Sequence, residues 1–94
     1  MIQHSVAFRL SPSADVAAFW KGVDTLEQIE GVQRFQRLQQ VSTKNDFTHA
    51  LSMEFADQAA YDDYNNHPDH VSFVENVWLP NVADFLELDY VPYR

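Results

Sequence analysis

Apolar and polar side chains alternate from Ile2 to Leu10, with Ile2, His4, Val6, Phe8 and Leu10 on one side and Gln3, Ser5, Ala7 and Arg9 on the other. That period of two predicts a first strand. Ser11-Pro12 then offers an N-cap followed by a proline at the first helical position. Val16, Phe19, Trp20, Val23 and Leu26 recur at helical spacing, so a first helix is predicted to open there. After Glu30-Gly31, the polar-rich segment Val32 to Ser42 breaks parity between Phe35 and Leu38, the mark of a bulged or edge strand. Asn45-Asp46 supplies a turn, and Phe47, His49, Leu51, Met53 and Phe55 alternate with Thr48, Ala50, Ser52 and Glu54 in the clearest strand of the chain. Asp57 is positioned to cap a short helix through Ala60, Tyr61 and Tyr64, interrupted at Asn65-Asn66-His67 because Pro68 disfavours helix in the residue before it. Pro68 then opens a second segment with Val71, Val74, Val77 and Trp78 on one face, Pro80 ends it, and Phe85 to Val91 reads as the last strand.

The element order is therefore β-α-β-β-α-β, an α+β chain with the ferredoxin-like split βαβ arrangement. In that topology the first and third strands are neighbours at the centre of the sheet. Their hydrophobic faces must be the side that the helices cover. Their opposite faces carry Ser5, Ala7, Ala50 and Ser52, small residues that let a second sheet approach closely. Two such sheets face to face, from two copies of the chain, are the expected assembly.

With 94 residues, no internal repeat and no linker, a single domain over residues 1–94 is expected, and a core of this size gains from a partner subunit. The 46% hydrophobic and 14% aromatic content argues against disorder in spite of the net charge of -8. That charge comes from 14 acidic against 6 basic residues, scattered along the chain, and such a surface repels both a phosphate backbone and an anionic membrane. Neither nucleic acid nor membrane is expected as a partner. The absence of cysteine removes disulfides, thiolate nucleophiles and cysteine-based zinc sites. Met1 to Leu10 has no secretory pattern and no eighteen-residue apolar run occurs, so a soluble, cytoplasmic protein is the expectation.

The four histidines, His4, His49, His67 and His70, carry the candidate chemistry. By strand parity His4 and His49 are the polar residues on the apolar faces of two adjacent central strands, each third in its strand, and they are expected to converge on one spot. A buried imidazole needs a hydrogen-bond partner, and burial disfavours its charged form, so one reading is a pair of satisfied core histidines. The other is a pocket. The segment Tyr64-Asn65-Asn66-His67-Pro68-Asp69-His70 lies at a helix break above it, with His70 on the inward face shared by Val74 and Val77, and His67 positioned to cap the segment. A neutral histidine exchanges protons near pH 7, and a tyrosine hydroxyl beside it hydrogen-bonds a developing oxyanion, which suits enolisation, aldol closure or dehydration. Metal binding is the competing use of His67-x-x-His70 and its neighbours. Two apolar strand positions leave little room for a hydrated ion, and neither strand offers a supporting carboxylate on that side, so no metal is expected. No glycine-rich phosphate loop or Gly-x-Ser-x-Gly is present, which removes nucleotide and acyl-enzyme readings.

Gln3-His4-Ser5-Val6, Gly31-Val32, His67-Pro68-x-His70-x-x-Phe73 and Asp89-Tyr90, taken together from end to end of the chain, resemble the stress-responsive dimeric α/β-barrel (Dabb) domain family. The resemblance implies a ferredoxin-like subunit whose sheet joins that of a second copy to form a barrel. It is less decisive about activity, since members range from cofactor-independent enzymes to non-catalytic stress-associated proteins. One plant member closes a linear polyketide by aldol condensation. Its catalytic histidine and tyrosine fall on His70 and Tyr64 and its supporting histidines on His4 and His49. The resemblance thus implies a homodimer that binds a small organic molecule, without a cofactor, in one of three ways: as a polyketide cyclase or aldol-dehydration enzyme, as a non-catalytic ligand-binding dimer, or as a small isomerase or lactone-opening enzyme.

Overall fold

The computed structural model describes residues 1–94 as one four-stranded antiparallel sheet with helices on a single face. The strands are β1 (Ile2–Leu10), β2 (Gln33–Gln39), β3 (His49–Phe55) and β4 (Val82–Tyr90), in the spatial order β2-β3-β1-β4. The helices are α1 (Val16–Glu27), α2 (Gln58–Asn66) and α3 (Pro68–Phe73), the last continued by a π-helical turn, Val74–Trp78, and a final turn, α4 (Leu79–Asn81). The fold is ferredoxin-like, with the two most hydrophobic strands at the centre as their alternation requires.

Between the sheet and the helices lies the core: Ile2, Val6 and Phe8 from β1, Leu51, Met53 and Phe55 from β3, Phe19, Val23 and Leu26 from α1, and Phe73 and Trp78 from the last helical segments. Gly22 on α1 lets the two helical layers close up. A Cβ there would stand 2.8 Å from a methyl of Val77, inside contact distance. Gly31 takes φ +93, the left-handed conformation that favours glycine, where the chain turns into β2. Edge strand β2 is bulged, but its register shifts between Gln33 and Gln36, with Arg34 at φ 50, and not between Phe35 and Leu38; from Gln36 to Gln39 its pairing with β3 is regular.

Local differences from the sequence reading have identifiable causes. Helix α1 begins at Val16, not at Ser11-Pro12, because Asp15 is the cap that accepts from the Ala18 amide at 3.1 Å. Two bonds to Asn81, from the Ser11 and Asp15 amides, hold the preceding loop away from helical geometry. Pro80 sits within the final turn, where a proline near a helix start lacks nothing the turn needs, and β4 starts at Val82. The π-helical turn inserts an extra residue into the helical register, so Phe73 and Trp78, five residues apart, are both buried; Val71, which precedes the turn and is expected from its spacing on the inward face, is 43% exposed.

Candidate functional site

His4 is fixed from two sides. Its Nδ1 lies 2.6 Å from Oδ1 of Asp89, its neighbour across the β1–β4 ladder, and the Tyr61 hydroxyl from α2 lies 3.0 Å from the same nitrogen. A carboxylate only accepts, so Nδ1 carries the proton and Nε2 is left with the lone pair. Tyr61 gives its single proton to Asp89, 2.9 Å from Oδ2. Burial, then that bond to Asp89, pushes the Tyr61 pKa well above the ordinary phenol value, so the hydroxyl remains a donor. Neither Asp89 nor Tyr61 is among the candidate site residues that the sequence pattern indicates. Asp89 sits on an edge strand where a carboxylate reads as surface, and only the cross-strand register aims it at His4.

The broken helix sets the second imidazole by a similar logic. Pro68 holds His67 extended at the end of α2, and the His67 Nδ1 caps α3 by accepting from the Asp69 amide at 3.0 Å. That amide is the one which an unbroken helix would bond to the Asn65 carbonyl. The carbonyl instead accepts from Nδ1 of His70 at 3.1 Å, so His70 too presents a free Nε2. Burial depresses the His70 pKa below its ordinary 6.5, leaving the ring neutral at pH 7. Tyr64 packs against it with ring centres 4.5 Å apart, and burial raises the pKa of its phenol.

These groups meet at one cavity of about 170 Å³ between the sheet and the helices. His4, Tyr64 and His70 line it together with Val6, Leu51, Met53, Phe73, Trp78 and Phe85, and Glu87 stands at its wall. Neither Nε2 nor the Tyr64 hydroxyl has a protein hydrogen-bond partner. No fully buried polar side-chain atom in the chain lacks one, so all three open onto accessible space. His4, His70 and Tyr64 can therefore offer the cavity two proton acceptors and one donor, among mostly apolar walls and the Glu87 carboxylate.

His49 is the exception to the expected set. The two strands run antiparallel in a register that pairs His4 with Met53 and Phe8 with His49, and β3 begins at His49, so the two histidines lie towards opposite ends of the pair. His49 stacks on Phe8 with ring centres 5.9 Å apart, meets the edge of Trp20 and hydrogen-bonds Thr48, away from the cavity. His67 caps as its sequence position suggests. No three histidine, aspartate or glutamate side chains are disposed to share a metal ion, and no helix is long and apolar enough to cross a membrane.

The family model described as Stress responsive A/B Barrel Domain matches residues 2–92. A Dabb family protein with a ferredoxin-like fold from Mesorhizobium loti superposes with a TM-score of 0.92 at 46% identity, over 99% of this chain and 97% of that one. A dimeric ferredoxin-like protein of unknown function from Thermobifida fusca has a TM-score of 0.80 at 17% identity, over 97% of this chain and 90% of that one, a likeness of fold alone. A stress-response A/B barrel domain-containing protein of Arabidopsis thaliana is 26% identical over 99 residues, covering 100% of this chain. The match takes in 38% of that relative, so the chain spans well under half its length.

Proposed function

This chain belongs to the stress responsive A/B barrel domain family, and on that premise we propose that it is a homodimer whose subunits each bind a small carbonyl compound and move a proton on it without a cofactor. The observation that carries this reading is that His4, His70 and Tyr64, whose Nε2 atoms and hydroxyl have no protein partner, line one mostly apolar cavity. Neutral His70 takes a proton from the carbon next to the carbonyl, and the C–H electrons move into an enolate. The enolate oxygen accepts a hydrogen bond from Tyr64, whose raised pKa keeps it a donor. The imidazolium then returns the proton to carbon, or gives it to a hydroxyl that leaves as water, as in the aldol-dehydration chemistry of a polyketide cyclase. His4, held by Asp89, accepts a hydrogen bond from the substrate and orients it.

The dimer is supported by the uncovered face of the sheet. Ser5, Ala7 and Ala50 form its centre, flanked by Leu38, Leu86, Leu88 and Tyr90 at 41–50% exposure. Only 16 of 94 residues are buried in the single chain, and a second sheet against this face would add the missing burial. A second reading, a ligand-binding dimer without turnover, is favoured by the way Asp89 and Tyr61 tie β1, β4 and α2 together at His4, a useful structural pin by itself.

The experiment is deuterium exchange of the methyl protons of acetophenone in D₂O, followed by proton NMR, which needs no knowledge of the natural substrate. The wild-type chain is expected to exceed the buffer rate, and His70→Ala to fall back to it with an unchanged circular dichroism spectrum. Exchange at the wild-type rate in His70→Ala overturns the proposal. Wild-type exchange no faster than buffer leaves the binding-only reading.

A further inference from the structure

One wall of the cavity carries a charge that proton transfer by His70 and hydrogen bonding by Tyr64 leave unused. Glu87 lies on β4 two residues before Asp89, opposite Val6 on the helix-facing side, and lines the cavity with His4, Tyr64 and His70. Strand geometry sets it about 7 Å along the strand from Asp89. Asp89 is committed to His4 and Tyr61, whereas Glu87 enters no ion pair. None of the 6 lysines and arginines of the chain lines the cavity. The basic groups nearest in kind are the two imidazole nitrogens, which accept hydrogen bonds in their neutral form. A carboxylate or phosphate entering here would give up part of its hydration, find no lysine or arginine as counterion and face Glu87.

Volume narrows the occupant further. A cavity of about 150 Å³ is known to hold a benzene ring, and this one measures about 170 Å³. A single ring with a short substituent fills it. A long alkyl tail on that ring would have to extend out of it, past exposed Phe85 and Glu87.

We infer that the cavity takes a ring-sized carbonyl compound without negative charge, which carries a hydroxyl or ammonium group that donates to Glu87. This rests on the reading of the cavity as the site for a small carbonyl compound, and it adds the charge, the size and the residue that selects them. Glu87 is then a specificity-determining residue, distinct from His70 and Tyr64.

Four ring probes test it by NMR titration, read at the Tyr64 and His70 resonances: benzylamine, benzyl alcohol, benzoate and 4-pentylbenzyl alcohol. Benzylamine is expected to bind about fivefold more tightly than benzoate, since exposed Glu87 attracts the ammonium and repels the carboxylate through partly screening solvent. The pentyl compound is expected to bind more weakly than benzyl alcohol, its tail left outside the cavity. In Glu87→Gln, an isosteric change at an exposed side chain, the benzylamine preference should fall to near unity. The inference is overturned if benzoate binds within twofold of benzylamine, if Glu87→Gln leaves that ratio unchanged, if the pentyl compound binds as well as benzyl alcohol, or if no probe binds. Probes that bind in the expected order without any acetophenone exchange defeat the acid/base reading and leave this inference standing. Exchange accompanied by a preference for benzoate does the reverse.

Discussion

Asp89→Asn changes one atom type and reverses the demand placed on His4. With the carboxylate present, the His4 Nδ1 and the Tyr61 hydroxyl both donate to it, at 2.6 and 2.9 Å. An amide has one accepting oxygen and one donating nitrogen: with the oxygen in the place of Oδ1 it can accept from both donors, 2.6 and 3.0 Å away, and with the nitrogen there it cannot serve His4 as an acceptor. In that second arrangement the oxygen keeps Tyr61, and the amide N–H₂ faces Nδ1 and drives the imidazole proton to Nε2. The cavity then meets a donor at His4 where it met an acceptor. The stability cost follows from replacing a charge-assisted bond of about 1.5–3 kcal/mol with a neutral one of about 0.5–1.5 kcal/mol. The Asp89 side chain is 45% exposed, and solvent screening takes the difference towards its lower end, about 1 kcal/mol. For a domain of this length that is a fall in Tm of roughly 4–8 °C, at protein concentration held constant so that dimer dissociation does not contribute. Thermal unfolding and the ¹⁵N resonances of His4 report the two effects separately. An unchanged Tm with Nε2 still unprotonated would refute the tautomer argument. A loss of several kcal/mol would show that His4 is left buried without any partner, which the amide geometry excludes.

Three further outcomes follow from geometry already described. His49→Gln is expected to alter thermal stability through its contacts with Phe8 and Trp20 while leaving acetophenone exchange within about twofold of wild type; a collapse of exchange with the fold intact would return His49 to the site. Because burial lowers the His70 pKa, the unfolded chain takes up its proton first as pH falls, so the His70 contribution to stability is complete above about 6.5 and is lost below it. Exchange should show its acid limb in the same window. Denaturant midpoints across pH 5–8 for wild type and His70→Asn test the sign, and a variant with the wild-type slope would contradict it. Leu88→Asp, at the uncovered face of the sheet, is expected to give a folded monomer by sedimentation at a concentration where wild type is dimeric.

The alternation in β1 and β3 carried most of what the sequence could say about the site. It put His4 on the correct face because parity is a local property, fixed by the backbone of a single strand. It failed for His49 because convergence is a property of register, and an antiparallel pair carries equivalent sequence positions apart. The same distinction explains Asp89 and Tyr61. Each is read correctly alone, as an edge-strand acid and a helical aromatic, and neither reveals its partner until β4 is laid against β1 and α2 over both. Ser11-Pro12 looks a better helix start than Asp15, since a capping signal is visible in sequence and the Asn81 bonds that override it are not. The π-helical turn at Val74–Trp78 has no sequence mark, and it lets Phe73 be buried together with Trp78, five residues on.

The one-sided cover of the sheet has a consequence for how such a chain can change over generations. Along β1, even positions build the cavity and odd positions build the face offered to a second copy, so one strand serves two selective demands on alternate residues. Substitutions at Val6 or Glu87 can retune a ligand without touching the other face, and those at Ser5 or Leu88 can retune assembly without touching the ligand. What evolution cannot do here is shorten or lengthen the strand by one residue. Such a slip would turn His4 outward and Ser5 inward, and both properties would be lost in a single event. Drift by substitution is cheap on this scaffold, and drift by insertion within β1 is closed to it.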